Sequence, residues 1–130
     1  MQQHLALTTL VVQNYDAAIT FFVDALGFEL IEDTSLPAEN KRWVVVAPKG
    51  SAESRLLLAQ ADDAAQAERV GNQTGGRVFL FLHTDDFWRD YTLYKDRGVN
   101  FVEPPRKEPY GTVAVFEDVC GNLWDLLEPT

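Results

Sequence analysis

The feature that most constrains the fold is a repeated order of predicted elements, punctuated by two glycines 71 positions apart. An apolar, strand-like segment at 5–12 precedes a helix-like segment at 15–26 that ends at Gly27. The same order recurs with a strand-like segment at 78–82, then a helix-like segment, capped by Asp85 or Asp86, that ends before Gly98. Apolar residues at three- and four-residue steps followed by glycine are typical of amphipathic helices and their C-termini. Three strand-like segments follow each glycine, so the sequence predicts an α+β chain that is duplicated.

The predicted units are a first module at about 4–62, a polar linker at about 63–76 and a second module at about 77–130, within one domain spanning 1–130. In the second module the strands are expected at 99–102, 112–116 and 123–127, with a loop at 104–111. Residue identity between the halves is slight. The alternative is therefore an ordinary α+β domain whose halves resemble each other by accident.

Composition excludes several classes of function. The 130 residues include 11 basic and 20 acidic side chains, for a net charge of -9, and the longest basic cluster is a pair at 106–107. Nucleic-acid binders and proteins that dock on anionic membranes usually carry a basic patch, so neither partner is expected. The single cysteine excludes an internal disulfide, and no apolar run approaches the roughly 18 residues of a membrane span. The N-terminus lacks a basic signal-peptide region, so a soluble cytoplasmic protein is predicted.

Three stretches resemble the vicinal oxygen chelate superfamily, which includes glyoxalase I, bleomycin-resistance proteins, fosfomycin-resistance enzymes and extradiol dioxygenases. The first runs from Leu10 to Phe28 and ends in Leu-Gly-Phe. The second, 84–99, matches the helix of a second module with its Gly-Val ending. The third joins the loop 104–111 to the segment 116–129, with its Gly-Asn turn and final strand. The resemblance covers nearly the whole chain. It implies two tandem βαβββ modules that form an open, cupped mixed β-sheet, and a homodimer.

In metal-using members of this superfamily the cup holds one divalent ion. The resemblance places the first ligand position at Leu7 and its counterpart in the second module at Phe79, neither of which binds metal. His4 is three residues from Leu7 and thus on the opposite strand face, and His83 is four residues from Phe79, about 13 Å away at ~3.3 Å per residue. Neither histidine can therefore replace the missing ligand without a change of register.

The last ligand position is Asp125, and the middle one falls within 55–60, where Gln60 is the only donor. A transition-metal site needs several imidazole or carboxylate ligands. The sequence therefore disfavours a divalent metal and predicts no cofactor.

With metal ligands lost, the cup is expected to be an apolar pocket for a small organic ligand. Residues predicted to bind the ligand are Leu7, Trp43, Arg55, Phe79, Tyr110 and Asp125. Trp124 alternates with Asp125 and is expected in the core. Burial should raise the pKa of the Asp125 carboxyl group. In that setting the carboxylate is expected either to hold a cationic ligand or to serve as a catalytic base. Alternatively, Asp125 merely pairs with Arg55 or Arg42.

Two functions remain open. One is a metal-free binding protein similar to the bleomycin-resistance proteins, which sequester a cationic, aromatic drug. The other is a lyase or isomerase, glyoxalase- or dioxygenase-like, acting on a small carbonyl compound, with Asp125 as base or as the sole retained metal ligand.

Overall fold

The computed structural model describes residues 1–130, which contacts divide into two compact units, 1–70 and 71–130. The division falls inside the predicted linker. The first unit contains β1 (Leu7–Val12), α1 (Tyr15–Ile19), β2 (Glu29–Leu36), β3 (Lys41–Ala47), β4 (Arg55–Gln60) and α2 (Ala64–Ala67). The second contains β5 (Val78–His83), α3 (Phe87–Asp96), β6 (Arg106–Glu108), β7 (Gly111–Glu117) and β8 (Leu123–Pro129). No helix combines the length and the apolar character that a transmembrane segment requires.

Each unit holds one four-stranded mixed sheet, and the two sheets have the same topology. The strand order is β1-β4-β3-β2 in the first unit and β5-β8-β7-β6 in the second. In both, the first strand of the unit pairs in parallel with the last, and the other neighbours are antiparallel. The predicted α+β class, with its repeated order of strand, helix and three strands, is confirmed.

The first helical segment is capped as its sequence predicts but is less regular. The Asn14 side chain accepts a hydrogen bond from the Ala17 amide at 2.9 Å, and Gly27 ends the segment with φ +77°. Between them, the α-helix gives way to one π-helical stretch, Thr20–Ala25, in which Leu26 N–H bonds to the Phe21 carbonyl five residues back. An apolar stripe indicates a helix but does not distinguish this wider turn from a regular one.

Segment 99–102, predicted as a strand, forms a single bridge between Phe101 and Phe116. The edge strand β6 lies instead within 104–111, which the sequence predicts as a loop. The Phe101 ring packs 4.6 Å from the Tyr91 ring on α3, as measured between centroids. Phe101 is thus half-buried against α3 and joined to β7 by one bridge rather than by a ladder of strand hydrogen bonds, which an apolar run does not reveal.

The turn between β7 and β8 is organised by one buried carboxylate. Asp118 Oδ1 accepts from the backbone amides of Cys120, Gly121 and Asn122 at 2.9, 3.0 and 3.0 Å, and Oδ2 accepts from Trp124 Nε1 at 3.0 Å. Trp124 is 2% exposed and stacks on Phe116, as its predicted core position requires. Because side chains alternate along a strand, the buried position of Trp124 directs the following residue, Asp125, to the opposite face of the sheet.

Candidate functional site

One face of the first sheet is covered by the helical segment, and the other is open. Alternate residues of β1 and β4, among them Leu10 and Leu58, are completely buried. On the other face the parallel register aligns Leu7 with Arg55, and β3 places Val45, two residues after Trp43, opposite Leu57. The structure thus brings three of the predicted ligand-binding residues, Leu7, Trp43 and Arg55, to one face of the first sheet.

A cavity of about 380 Å³ lies in the first unit. Its volume falls within the range of small-molecule sites, about 300–1,000 Å³. Trp43 is 38% exposed there although it is among the largest apolar side chains. The cavity combines apolar and aromatic side chains with a polar rim, and it is lined by Thr9, Val11, Tyr15, Leu36, Glu39, Lys41, Arg42, Trp43, Leu57, Leu58, Ala59, Gln60 and Gln66.

Arg42 on the rim of this cavity is occupied by two carboxylates. Its Nη1 lies 2.9 Å from Asp16 Oδ1 and its Nη2 lies 2.7 Å from Asp33 Oδ2. These hydrogen bonds, Asp33 first, raise the pKa of Arg42, and in return Arg42 holds the pKa of Asp33 below its usual value. The alternative that Asp125 pairs with Arg42 is therefore not observed, because Asp16 and Asp33 already satisfy its guanidinium.

Gln60, the one donor predicted near the middle metal-ligand position, has a structural partner. Its Oε1 accepts a hydrogen bond from the Tyr15 amide at 3.1 Å, at the start of α1. An amide at the first turn of a helix has no partner within the helix, so this bond stabilises the helix N-terminus. The side-chain oxygen that a metal would need is thus engaged in the fold.

Arg55 has the one buried side-chain nitrogen or oxygen in the chain that lacks a hydrogen-bond partner, its Nε atom. Every other such atom has a partner or is accessible to solvent. No carboxylate lies within 4.0 Å of the guanidinium, so Arg55 does not neutralise Asp125 in this structure. The alternative that Asp125 pairs with Arg55 is not observed.

Asp125 lies on the open face of the second sheet. The register of β8 places it between Phe81 of β5 and Val115 of β7. Asp125 is only 7% exposed, whereas Phe81 is 61% exposed. The carboxylate forms no ion pair and accepts no hydrogen bond, yet its oxygens are not sealed from solvent. The second sheet therefore holds a largely buried acidic group flanked by the apolar side chains of Phe81 and Val115.

The electrostatics of Asp125 follow from this setting. Burial raises the pKa of its carboxyl group, nearby Arg106 opposes that rise, and Glu103 adds to it. Arg106 is shared with other acids: its Nε lies 3.0 Å from Glu108 Oε1 and its Nη1 lies 3.8 Å from Glu103 Oε1. Because burial outweighs this divided cation, the sequence-based expectation of a raised pKa for Asp125 agrees with the structure.

Phe79, which the sequence predicts beside the ligand, does not share the face of Asp125 in this structure. A bulge between Val78 and Leu80 shifts the register of β5, and the Phe79 ring packs edge-on against the core residue Trp124 at 6.3 Å. Phe81 takes the place beside Asp125 instead. Bulges are set by backbone pairing and shift side chains from face to face, so counting along the strand did not find this one.

Tyr110 lies in the turn between β6 and β7, next to Arg106. It is 49% exposed, and interaction with its hydroxyl is the main cause that raises the pKa of Arg106. Sequence reasoning singled out Tyr110 but missed Arg106 and Phe81. Arg106 lies in the segment assigned to a loop, and its position became interpretable only once β6 was seen to pair with β7.

The donor groups do not fit a metal centre. The structure contains no group of three or more His, Cys, Asp or Glu side chains that could hold a metal ion. His83 pairs in register with Leu127, two positions from Asp125 along β8, and both His83 and His4 are exposed. Asp125 therefore has no partner ligands in this arrangement.

Comparisons with known proteins agree with this fold. The model of the Glyoxalase/Bleomycin resistance protein/Dioxygenase superfamily matches residues 3–126. An uncharacterized protein of Shewanella frigidimarina (strain NCIMB 400) is 57% identical over 98% of this chain and 95% of its own.

Among solved structures, UcmS2 is 31% identical with a TM-score of 0.85 and covers 98% of both chains. TnmS3, described as an antibiotic binding protein from Streptomyces sp. CB03234, is 30% identical with a TM-score of 0.79, over 99% of this chain and 98% of its own. With a family model that spans almost its entire length and a duplicated fold shared with these structures, the chain belongs to the Glyoxalase/Bleomycin resistance protein/Dioxygenase superfamily.

Proposed function

We propose that this protein binds a small organic molecule without a metal ion and that Asp125 is the polar anchor for a cationic group of that molecule. The observation that carries the proposal is the state of Asp125: nearly buried, beside an exposed phenylalanine, and without any hydrogen-bond or ion-pair partner. A charged group in such a place costs free energy unless a partner compensates it. A ligand with an ammonium group and an apolar body supplies that partner and also covers Phe81.

The relatives support a binding role. TnmS3, at 30% identity, is described as an antibiotic binding protein. Sites for such molecules are mostly apolar, with a few polar groups that fix orientation. The metal-free part of the proposal is supported by the donor set around Asp125. Tyr110 is proposed to border the same ligand. We further propose that the protein acts in the cytoplasm and that it is a homodimer. Sedimentation equilibrium, which measures the mass of the assembly, tests the homodimer directly.

The second candidate is a lyase or isomerase with Asp125 as general base. The raised pKa favours it, because a base is most effective when its pKa approaches the working pH. Such an enzyme also needs an electrophile that stabilises the developing oxyanion. Arg106, the cation that acts on Asp125, is already shared with two glutamates, so the binding role is better supported.

The test is calorimetric titration with three naphthalene derivatives that differ in charge: naphthalen-2-ylmethylammonium, neutral 2-naphthamide and anionic 2-naphthoate. We expect Asp125→Asn to bind the ammonium compound with an affinity tenfold or more below that of the wild type. Its affinity for the neutral amide should be unchanged. Asp96→Asn, at an exposed carboxylate of α3, removes the same charge and should change neither affinity.

Equal binding of the ammonium compound to the wild type and Asp125→Asn would overturn the role of Asp125. Near-stoichiometric metal in protein purified without chelators would overturn the metal-free proposal. Turnover of a carbonyl compound that disappears in Asp125→Asn, with binding retained, would establish the enzymatic alternative.

A further inference from the structure

We propose that the open face of the first sheet binds an aromatic anion, with its rings in the cavity against Trp43 and Leu57 and its anionic group on Arg55. This proposal concerns residues of the first unit alone and does not depend on ligand binding at Asp125.

The first observation is that the guanidinium of Arg55 has no partner. Its Nε is buried without a hydrogen bond, and its terminal nitrogens form none either but stay accessible to solvent. This is unexpected in a chain with 20 acidic residues and a net charge of -9. A planar guanidinium presents a fork of donors that matches a carboxylate or a similar anion in a bidentate arrangement.

Other arginines show that this chain readily supplies such partners. Arg42, Arg89 and Arg106 each have a carboxylate oxygen within 3.0 Å of a guanidinium nitrogen. All three are anchored by acids near them in sequence or on neighbouring strands. Arg55 lacks a comparable acid within 4.0 Å, so its fork remains available to a ligand.

The second observation is the cavity of about 380 Å³ next to Arg55 along the same strand. Leu57 lines the cavity, and Arg55 precedes it by two residues on the same face, about 6.6–7 Å along β4. Trp43 and Leu57 offer apolar surface to flat rings, and indole is a favourable stacking partner. Trp43 lies two residues before Val45, the partner of Leu57, and is therefore level with position 59, about 13 Å from Arg55 at ~3.3 Å per residue. Because Arg55 is not among the residues that line the cavity, the proposed ligand extends beyond the cavity along the same face to reach the guanidinium.

The other cations at this cavity already have carboxylate partners. Arg42 is held by Asp16 and Asp33, and Lys41 Nζ lies 3.2 Å from Asp62 Oδ2. Both rim cations are thus neutralised by the protein itself. The charge that selects the ligand on this face is Arg55, and it selects an anion, the opposite of what Asp125 selects on the second sheet.

Calorimetric titration with 2-naphthoate and its neutral isostere 2-naphthamide tests this assignment. We expect Arg55→Gln to lower the affinity for 2-naphthoate tenfold or more and to leave the affinity for 2-naphthamide unchanged. Arg77→Gln, at an exposed arginine of the second unit, removes the same charge and should change neither. Arg55→Lys, which keeps the charge but loses the fork, should give an intermediate loss. Trp43→Phe should abolish the ligand-induced change in tryptophan fluorescence.

Unchanged binding of 2-naphthoate to Arg55→Gln would overturn the proposal, as would an equal loss for acid and amide, which indicates a folding defect rather than a lost anion contact. The failures of the two proposals are distinguishable. Asp125→Asn should leave 2-naphthoate affinity intact, and Arg55→Gln should leave naphthalen-2-ylmethylammonium affinity intact. Binding of the ammonium compound alone would leave the proposed function standing and overturn the anion site.

Discussion

The two sheets share one strand order but differ in their edges and in the charge of their open faces. The edge strand of the first sheet, β2, has eight residues, whereas that of the second, β6, has three. The open face of the first sheet carries an unpaired arginine and that of the second an unpaired, largely buried aspartate. The difference shows that a duplicated scaffold conserves what packing requires, the central pairs and the covered face, while its open face is free to change its chemistry.

The connections before the last strand differ as well. In the second unit, the turn from β7 to β8 closes around buried Asp118, which accepts four well-formed hydrogen bonds at 2.9–3.0 Å. In the first unit, the segment from β3 to β4 has short backbone turns such as that from Pro48 to Ser51 and contains no buried polar residue. Stability in the second unit thus depends on a single side chain to a degree that the first unit does not show.

The largest effect is expected for Asp118→Ala. The substitution removes the side-chain acceptor of three backbone amides and of the Trp124 indole in a buried turn, although Gly121 N–H keeps its bond to the Asp118 carbonyl at 3.0 Å. We expect a loss of about 3–5 kcal/mol in the free energy of unfolding. Denaturant unfolding measures it. As a control, Asp62→Ala removes an exposed pair with Lys41 in the first unit and should cost less than about 1 kcal/mol. Similar losses for both variants would contradict the comparison.

A smaller difference should separate two glycines, Gly71 in the second unit and Gly50 in the first. Both have positive φ, +74° and +81°, but a Cβ on Gly71 would lie 2.2 Å from the Cys120 carbonyl oxygen, whereas Gly50 faces open space. We expect Gly71→Ala to cost about 2–4 kcal/mol and Gly50→Ala about 1 kcal/mol, because only the first adds a backbone clash to the conformational strain. Thermal unfolding of both variants measures the two losses in stability. A larger loss for Gly50→Ala than for Gly71→Ala would contradict the prediction.

The smallest effect concerns the unpaired charge of the second sheet. Burial raises the native pKa of Asp125 above the unfolded value of about 3.9, so the native state binds this proton more tightly, and ionisation lowers stability as pH rises through the native pKa. Asp125→Asn should therefore have a slightly higher melting temperature than the wild type at about pH 7, and this advantage should vanish at about pH 3. Asp96→Asn serves as the control for a change in net charge.

An advantage of Asp125→Asn that grows on acidification would mean that the carboxylate is paired in the native state and that its pKa is lowered. That result would remove the contrast between the two open faces, because the second sheet would then carry no unpaired charge to set against Arg55 of the first.

Much of the fold was predictable from local signals. The cap at Asn14, the cap at Asp86 and the positive φ of Gly27 and Gly98 all follow from side-chain and backbone preferences that act within a few residues. The core position of Trp124 follows from strand alternation. Errors arose where pairing decided the outcome: the bulge beside Phe79, and the edge strand β6 in a presumed loop.

The candidate site divides along the same line. The sequence singled out Leu7 and Asp125 because the superfamily resemblance places ligand positions there, and Trp43, Arg55 and Tyr110 because they are aromatic or charged side chains near the expected pocket. It also determined the duplicated α+β order, since hydrophobic period and helix termination are encoded locally. Only the tertiary structure decided that Arg42 is neutralised, that Arg55 and Asp125 are not, and that Phe81 replaces Phe79. Those outcomes depend on which strands align, and pairing between distant segments sets the neighbours of every charge.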